Sequence, residues 1–339
     1  MRVLITGGAG FLGARLARTL LDRGSLAGAP ISQLVLADLA APADAALRDD
    51  RRVQVRVGDL LEQLDVLTDA PYDAVFHLAS AVSAECEADF ELGLRSNLDS
   101  TRALLDACRR QAMAAGRAPR FVFSSSVAVY GSDPALPLPH VVDDRTLPTP
   151  QSSYGIHKFV CEQLVADYTR KGYIDGRAAR LMTVSVRPGR PNGAASSFLS
   201  GIVREPLAGQ PAVCPVSPDT PVAVSSPATT VAGLMAVAEA PRDDFGGRTA
   251  LNLPALTVTV QQMLDALQGV GGDAALSLVR FEPDAQIARI VGGWPARFSS
   301  ARAAHLGLIP DGDFRSIVLQ YVRDHAAAVT NEQARSCTG

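Results

Sequence analysis

Apolar and polar positions along this chain fall into short apolar runs separated by longer amphipathic stretches. Residues 2–6 (RVLIT) are β-branched and apolar and end in glycines, which predicts a short buried strand. Residues 11–21 carry apolar positions at helical spacing and stop before Gly24. Strand-like runs recur at 33–37, 53–57, 74–78, 121–125 and 179–186, with helical stretches over 88–115 and 153–171. Strands alternating with helices predict βαβ units, hence an α/β protein with a parallel, doubly wound sheet. After Pro188 the texture changes: proline and glycine become frequent up to 227, and helical pieces follow at 228–240 and 259–270. This predicts a first unit over 1–187 and a smaller mixed α/β substrate-binding unit over 188–328, from which some segments can return to the first. Residues 329–339 read as a flexible tail.

The turn after the first strand sharpens the picture. Gly7, Gly10 and Gly13 form G-x-x-G-x-x-G within TGGAGFLG, between a strand and a helix. That is the setting in which a backbone turn approaches a pyrophosphate and the helix start offers free N–H groups. The expected fold is therefore a Rossmann-type dinucleotide-binding unit. Asp38 ends the second strand, where a carboxylate can accept bonds from the adenosine ribose hydroxyls and would repel a 2′-phosphate. No Lys or Arg lies between Gly24 and Arg48 to bind such a phosphate, so the expected cofactor is NAD rather than NADP. Asp59, after the third strand, is placed to meet the adenine amino group.

Composition narrows the partners. With 47% apolar and 20% charged residues, the chain reads as an ordinary globular protein, and its net charge of −3 gives no basic block for nucleic acid. No apolar stretch of about 18 residues exists to span a membrane, and the start does not read as a signal peptide. The five cysteines (Cys86, Cys108, Cys161, Cys214, Cys337) are widely spaced and form no metal-ligand pattern. The expectation is a cytoplasmic protein with reduced thiols and no metal.

Tyr154 and Lys158 stand four apart on a predicted helix and share a face. A phenol titrates near ~10, too high for a base at neutral pH, unless a neighbouring cation stabilises the phenolate. Lys158 and Lys171 are the only lysines; arginine serves everywhere else, which makes a lysine at this spacing conspicuous. Arginine, a fixed planar fork, cannot replace it. Ser124, Ser125 and Ser126 end the fifth strand, at the edge where α/β sheets gather ligands. Ser126 is the hydroxyl chosen to bond the reacting oxygen, completing a catalytic set with Tyr154 and Lys158.

Taken in order, TGGAGFLG, Asp38, Gly58-Asp59-Leu60, His77-Leu78-Ala79, Asn97, SSSVAVYG, YGIHK and Arg187-Pro188-Gly189 resemble the extended short-chain dehydrogenases. The resemblance covers residues 1 to about 190. It implies cofactor contacts at Phe11, Leu12, Leu60, Leu78, Ala79, Ser80, Asn97 and Ser124, with Asn97 also supporting the strand, and a 186–189 backbone, including Pro188, that borders the nicotinamide. It also implies that the helices near 96–115 and 153–171 pair two copies into a homodimer.

Segments of the second half, among them RPGRPNGAASSF (187–198), CPVSPDT (214–220) and IARIVGGWPARF (287–298), resemble the D-erythronate-oxidising branch of that family. This implies oxidation of the C2 hydroxyl of a small sugar acid. Such a substrate needs a cation for its carboxylate, and Arg190, Arg204 and Arg297 are the candidates; Asn192, Ser196 and Ser197 are candidates for its hydroxyls. Two rival readings use the same fold: a nucleotide-sugar epimerase that keeps its NAD, and a non-catalytic redox sensor. Val127-Ala128 after Ser126, where dehydratases carry an acidic pair, argue against elimination chemistry.

Overall fold

A computed structural model of the chain describes residues 1–189 and 194–337. In chain order the main elements are β1 (Arg2–Thr6), α1 (Phe11–Arg23), β2 (Gln33–Asp38), β3 (Val53–Val57), β4 (Ala74–His77), α2 (Ser100–Ala115), β5 (Arg120–Ser126), α3 (Ser153–Arg170), β6 (Asp175–Leu181) and β7 (Thr183–Val184). There follow α4 (Phe198–Leu207), β8 (Pro221–Ser225), α5 (Pro227–Glu239), β9 (Leu251–Asn252), β10 (Leu256–Thr259), α6 (Val260–Leu276) and α7 (Phe314–Asp324). The central sheet has seven strands in the order β3-β2-β1-β4-β5-β6-β9, every pair parallel. Strand β1 lies between β2 and β4, so the order reverses there and a crevice opens beyond the carboxyl ends of both.

The sheet is buried on both faces, which explains why its strands are continuous apolar runs. Val3 and Ile5 pack on one face with Leu16 and Leu20 of α1 and Val231 and Leu234 of α5. Leu4 points the other way, to Leu104 and Leu105 of α2 and Val165 of α3. A separate core holds the later half together, built from Leu199, Ile202 and Val203 of α4, Met263 and Leu267 of α6, and Ile317 and Val318 of α7.

Three expectations need correction. The helical stretch over 88–115 is interrupted: Asp89 caps a new short helix through the Leu92 N–H at 2.9 Å, and Leu94–Asp99 forms a wider π turn before α2. The strand expected over 179–186 begins at Asp175 and ends at Leu181, and β7 belongs to a small sheet with β8 and β10. Its polar start, Asp175-Gly176-Arg177, hid it. Arg177 is fully buried, paired with Asp175 at 2.8 Å and donating to the carbonyls of Val237 and Ala240 at the end of α5. The stretch from 329, expected as a flexible tail, packs on the second core. Val329 and Ala334 are fully buried there, and Asn331 caps the short helix Glu332–Ser336.

Candidate active site

The carboxyl edge of the sheet gathers most of the expected residues. After Thr6 the chain turns through Gly7, whose carbonyl accepts from Gly10 N at 3.2 Å. A side chain at Gly13 would bring a Cβ to 2.1 Å from that same carbonyl, so helix α1 can pack on the turn only with glycine there. The N–H groups of Phe11, Leu12 and Gly13 have no acceptor among the described residues, leaving the positive end of α1 open to an anion. Asp38 braces this loop: its Oδ2 accepts from Ala9 N at 2.9 Å and Gly10 N at 3.2 Å, and its Oδ1 from Leu39 N at 2.7 Å. The loop, the open helix end and the half-buried carboxylate beside it fit a dinucleotide.

The segment after β4 closes the other side of the crevice. Leu78 N donates to Thr6 O at 3.1 Å, and Ala79 N to the Thr6 hydroxyl at 3.3 Å. Asn97, in the π turn and 3% exposed, grips the loop rather than a strand: Oδ1 accepts from Ala81 N at 2.8 Å and Ser80 Oγ at 3.0 Å, and Nδ2 donates to Ala81 O at 3.2 Å. Behind it His77 is fully buried. Thr101 donates to Asn97 O at 2.6 Å and so receives the His77 Nε2–H at 2.9 Å. Nδ1 then accepts from the Thr6 hydroxyl at 2.6 Å. Burial, and to a lesser degree the Lys158 charge, pushes the His77 imidazole down to about 3, so it is a neutral relay between β1 and the π turn.

The expected catalytic residues meet at the start of α3. Ser152 caps this helix through Gly155 N at 3.1 Å. Gly155 lies hard against the carbonyl of Ala128, where a Cβ would come within 2.2 Å, and this contact seats Tyr154 beside the turn that Ser126 begins. The Ser126 hydroxyl accepts from Ala128 N at 3.1 Å and is half-buried, as is Tyr154. Lys158 is 3% exposed; its Nζ donates to Ser124 O at 2.8 Å and stands 5.5 Å from the centre of the Tyr154 ring. Ser124 Oγ donates to His77 O at 3.0 Å, so this serine serves the strand ends rather than an open groove. One turn beyond Lys158, Glu162 accepts from Ser125 Oγ and pairs with Arg180 at 2.7 Å, both nearly fully buried. Arg180 also donates to Tyr130 OH, which donates to Asn252 Oδ1 of β9 at 3.0 Å. This network, absent from the sequence reading, bolts α3 to the sheet.

Other expected residues are placed differently. Asp59 accepts from Leu61 N at 2.8 Å and faces Arg95 at 3.4 Å. Leu60 packs partly into the core under α2 and α3, and Pro188 is half-buried. Arg190 and Asn192 lie outside the described residues. Ser196 and Ser197 open α4 and are half-buried. Arg204, buried on α4, is committed to Arg187 O at 2.8 Å and Glu205 at 2.6 Å. Arg297 is exposed beside the small pairing of Phe298–Ser299 with Val142–Asp143, where its carbonyl accepts from Val142 N. The sequence reading gave Arg187 only a backbone role. Its side chain lies within electrostatic range of Tyr154: burial pushes the guanidinium below its ordinary value, Tyr154 opposes the shift, and the Arg204 charge adds to it.

A crevice that fits a dinucleotide, with Tyr154, Lys158 and Ser126 near its rim, suits a nucleotide-dependent enzyme. The chain belongs to the NAD dependent epimerase/dehydratase family, which it matches over residues 3–221. It is 48% identical over 334 residues to a D-erythronate dehydrogenase of Cupriavidus necator, covering 97% of this chain and 100% of that protein. A D-erythronate dehydrogenase of Haemophilus influenzae is 43% identical over 324 residues, covering 95% and 99%. Among solved structures, a nucleoside-diphosphate-sugar epimerase from Agrobacterium tumefaciens superposes with a TM-score of 0.90 at 40% identity, covering 97% of this chain and 95% of that one. The chain is an NAD-dependent oxidoreductase of the extended short-chain dehydrogenase type. No helix among the described residues is long and apolar enough to cross a membrane.

Proposed function

We propose that the protein oxidises the C2 hydroxyl of a small sugar acid, D-erythronate, to the 2-oxo acid. The observation that carries the reaction is buried Lys158 anchored on Ser124 O, with Tyr154 on the same helix face beside the Ser126 turn. The two dehydrogenase relatives, matched along nearly their whole length, support the substrate. In this reading residues 1–187 hold the cofactor and 188–328 the substrate. The loop at Gly7–Gly13 holds the pyrophosphate and Asp38 the adenosine ribose. Bound NAD supplies the hydride acceptor. Tyr154, as the phenolate that the neighbouring Lys158 charge favours, takes the proton of the C2 hydroxyl and becomes a phenol, while Ser126 Oγ bonds the same oxygen.

The test is NADH formation from NAD by purified protein, with D- and L-erythronate, threonate, other aldonates and nucleotide-diphosphate sugars offered separately. Turnover of D-erythronate with little from the nucleotide sugars supports the reading. Turnover of nucleotide sugars without NADH release would favour the epimerase alternative, for which the Agrobacterium relative's name speaks. A homodimer belongs to the same proposal. Ile156 and Val160 of α3 are 48% and 38% exposed, beside Phe90 at 59% and Leu92 at 41%, an apolar face that a second copy can cover. Sedimentation of the native protein against Ile156→Glu checks it; a dimer that becomes a monomer is expected.

A further inference from the structure

Arg187 stands where the later half of the chain meets the catalytic edge. Helix α4 holds its backbone from two sides: Arg187 N donates to Ser200 Oγ at 3.0 Å, and Arg187 O accepts from Arg204 Nη1 at 2.8 Å. Its Nε donates to Val184 O at 3.1 Å. These bonds aim the guanidinium and leave both terminal nitrogens without an acceptor among the described residues.

The other deeply set arginines are occupied. Arg177 is taken up by Asp175 and the α5 carbonyls, Arg180 by Glu162 and Tyr130, and Arg204 by Glu205 and Arg187 O. Arg302 donates to carbonyls of Phe245, Thr249 and Ala250. Arg187 is the exception: a half-buried charge with no carboxylate paired to it among the described residues, within electrostatic range of Tyr154. A desolvated cation with two unused donors is complementary to an anion with two acceptors side by side.

We infer that Arg187 receives the substrate carboxylate through its two terminal N–H groups while Tyr154 receives the neighbouring hydroxyl, an inference that rests on the sugar-acid reading above. In a 2-hydroxy acid the carboxyl carbon is bonded directly to C2. An anchor for the carboxylate beside Tyr154 therefore brings the C2 hydroxyl, and not those farther along, to the proton acceptor. Arg187 is thus a specificity-determining residue for both the acid group and the position oxidised. An uncharged analogue leaves the fork unpaired in a partly desolvated place, which penalises it.

The test compares Arg187→Met and Arg187→Lys with wild type, using D-erythronate and its uncharged amide, with kcat and KM measured separately and NAD affinity by fluorescence titration. Arg187→Met should lower kcat/KM for the acid by about 100-fold, mainly through KM, while the amide changes by less than about threefold. Arg187→Lys should recover part of the loss on the acid, and NAD affinity should stay within about twofold for both variants. Equal losses on acid and amide would mean that Arg187 only props the loop, and an unchanged preference for the acid would equally overturn the inference. Either leaves the sugar-acid reading standing. Failure of the wild type to oxidise any sugar acid overturns that reading and this inference together.

Discussion

The Lys158 ammonium bonds the carbonyl of Ser124 at 2.8 Å, tying the helix that carries Tyr154 to the end of the strand that carries Ser126. Lysine suits this place because a compact ammonium can bond a carbonyl and still face a phenol. A guanidinium is a planar fork of different reach and would not reproduce this placement, in which Nζ also lies 5.0 Å from the Phe123 ring centre. Tyr154→Phe should therefore lower kcat by about 10²–10⁴-fold with NAD affinity nearly unchanged. Lys158→Arg should lower both kcat and NAD affinity. Steady-state kinetics with a parallel cofactor titration separates the two.

The three loop glycines are not equivalent. At Gly10 a Cβ would meet only Gly7 O at 3.3 Å, whereas at Gly13 it would lie 2.1 Å from the same atom. Gly13→Ala is expected to abolish NAD binding and lower the melting temperature. Gly10→Ala should cost less in both. Thermal melting with and without NAD measures the ranking.

Asp38 braces the glycine loop, and in the proposed function it also excludes a 2′-phosphate. Leu39 beside it is 74% exposed and free to change. The double substitution Asp38→Ser with Leu39→Arg should lower the NAD over NADP ratio in kcat/KM by about 100-fold. Some NAD affinity should be lost as well, since Ala9 N loses its carboxylate acceptor and Gly10 N keeps only Gly7 O. An unchanged ratio would remove Asp38 from the ribose site.

Glu162 and Arg180 form a buried pair, so removing one charge strands the other. Glu162→Gln should destabilise the fold by about 3 kcal/mol or more, measured by denaturant unfolding. Because the pair seats α3, kcat should fall as well, with the KM for NAD little changed.

His77 predicts a slope with pH. Its folded-state value near 3 lies below the unfolded value of 6.5, so the unfolded chain takes up the proton first as pH falls. The stabilisation is whole above pH ~6.5 and drains away towards pH ~3, at about 1.4 kcal/mol per pH unit. Other groups titrate in that window, so the comparison is with His77→Gln, whose stability should fall less steeply between pH 6.5 and 4.5.

Tyr154, Lys158, the glycine loop and Asp38 were legible in the sequence because each is fixed by local geometry: a helical spacing, a strand–turn–helix passage, a strand end. Arg187 was not, since the role proposed for it lies in terminal donors left without an acceptor among the described residues, and no local pattern shows that. Glu162, Arg180 and Asn252 come from three distant elements that carry no common period. Strand β6 was misread at its start because the fully buried Arg177 looks like surface, and β9 is two residues long, too short for any alternation to register. The segment beyond 329 looked polar enough to fray, yet two small apolar residues suffice to seat it.

Strand β9 decides what can be cut from this molecule. It covers the outer edge of β6, and its Asn252 holds Tyr130, which sits on the far side of the sequence from it. A fragment ending near residue 187 would carry a bare strand edge, an invitation to pair with a second chain, and an Arg177 stripped of the α5 carbonyls. Residues 1–187 are therefore not a transplantable cartridge. Any chimera that grafts a different later half onto them must bring its own edge strand and its own helix end for Arg177.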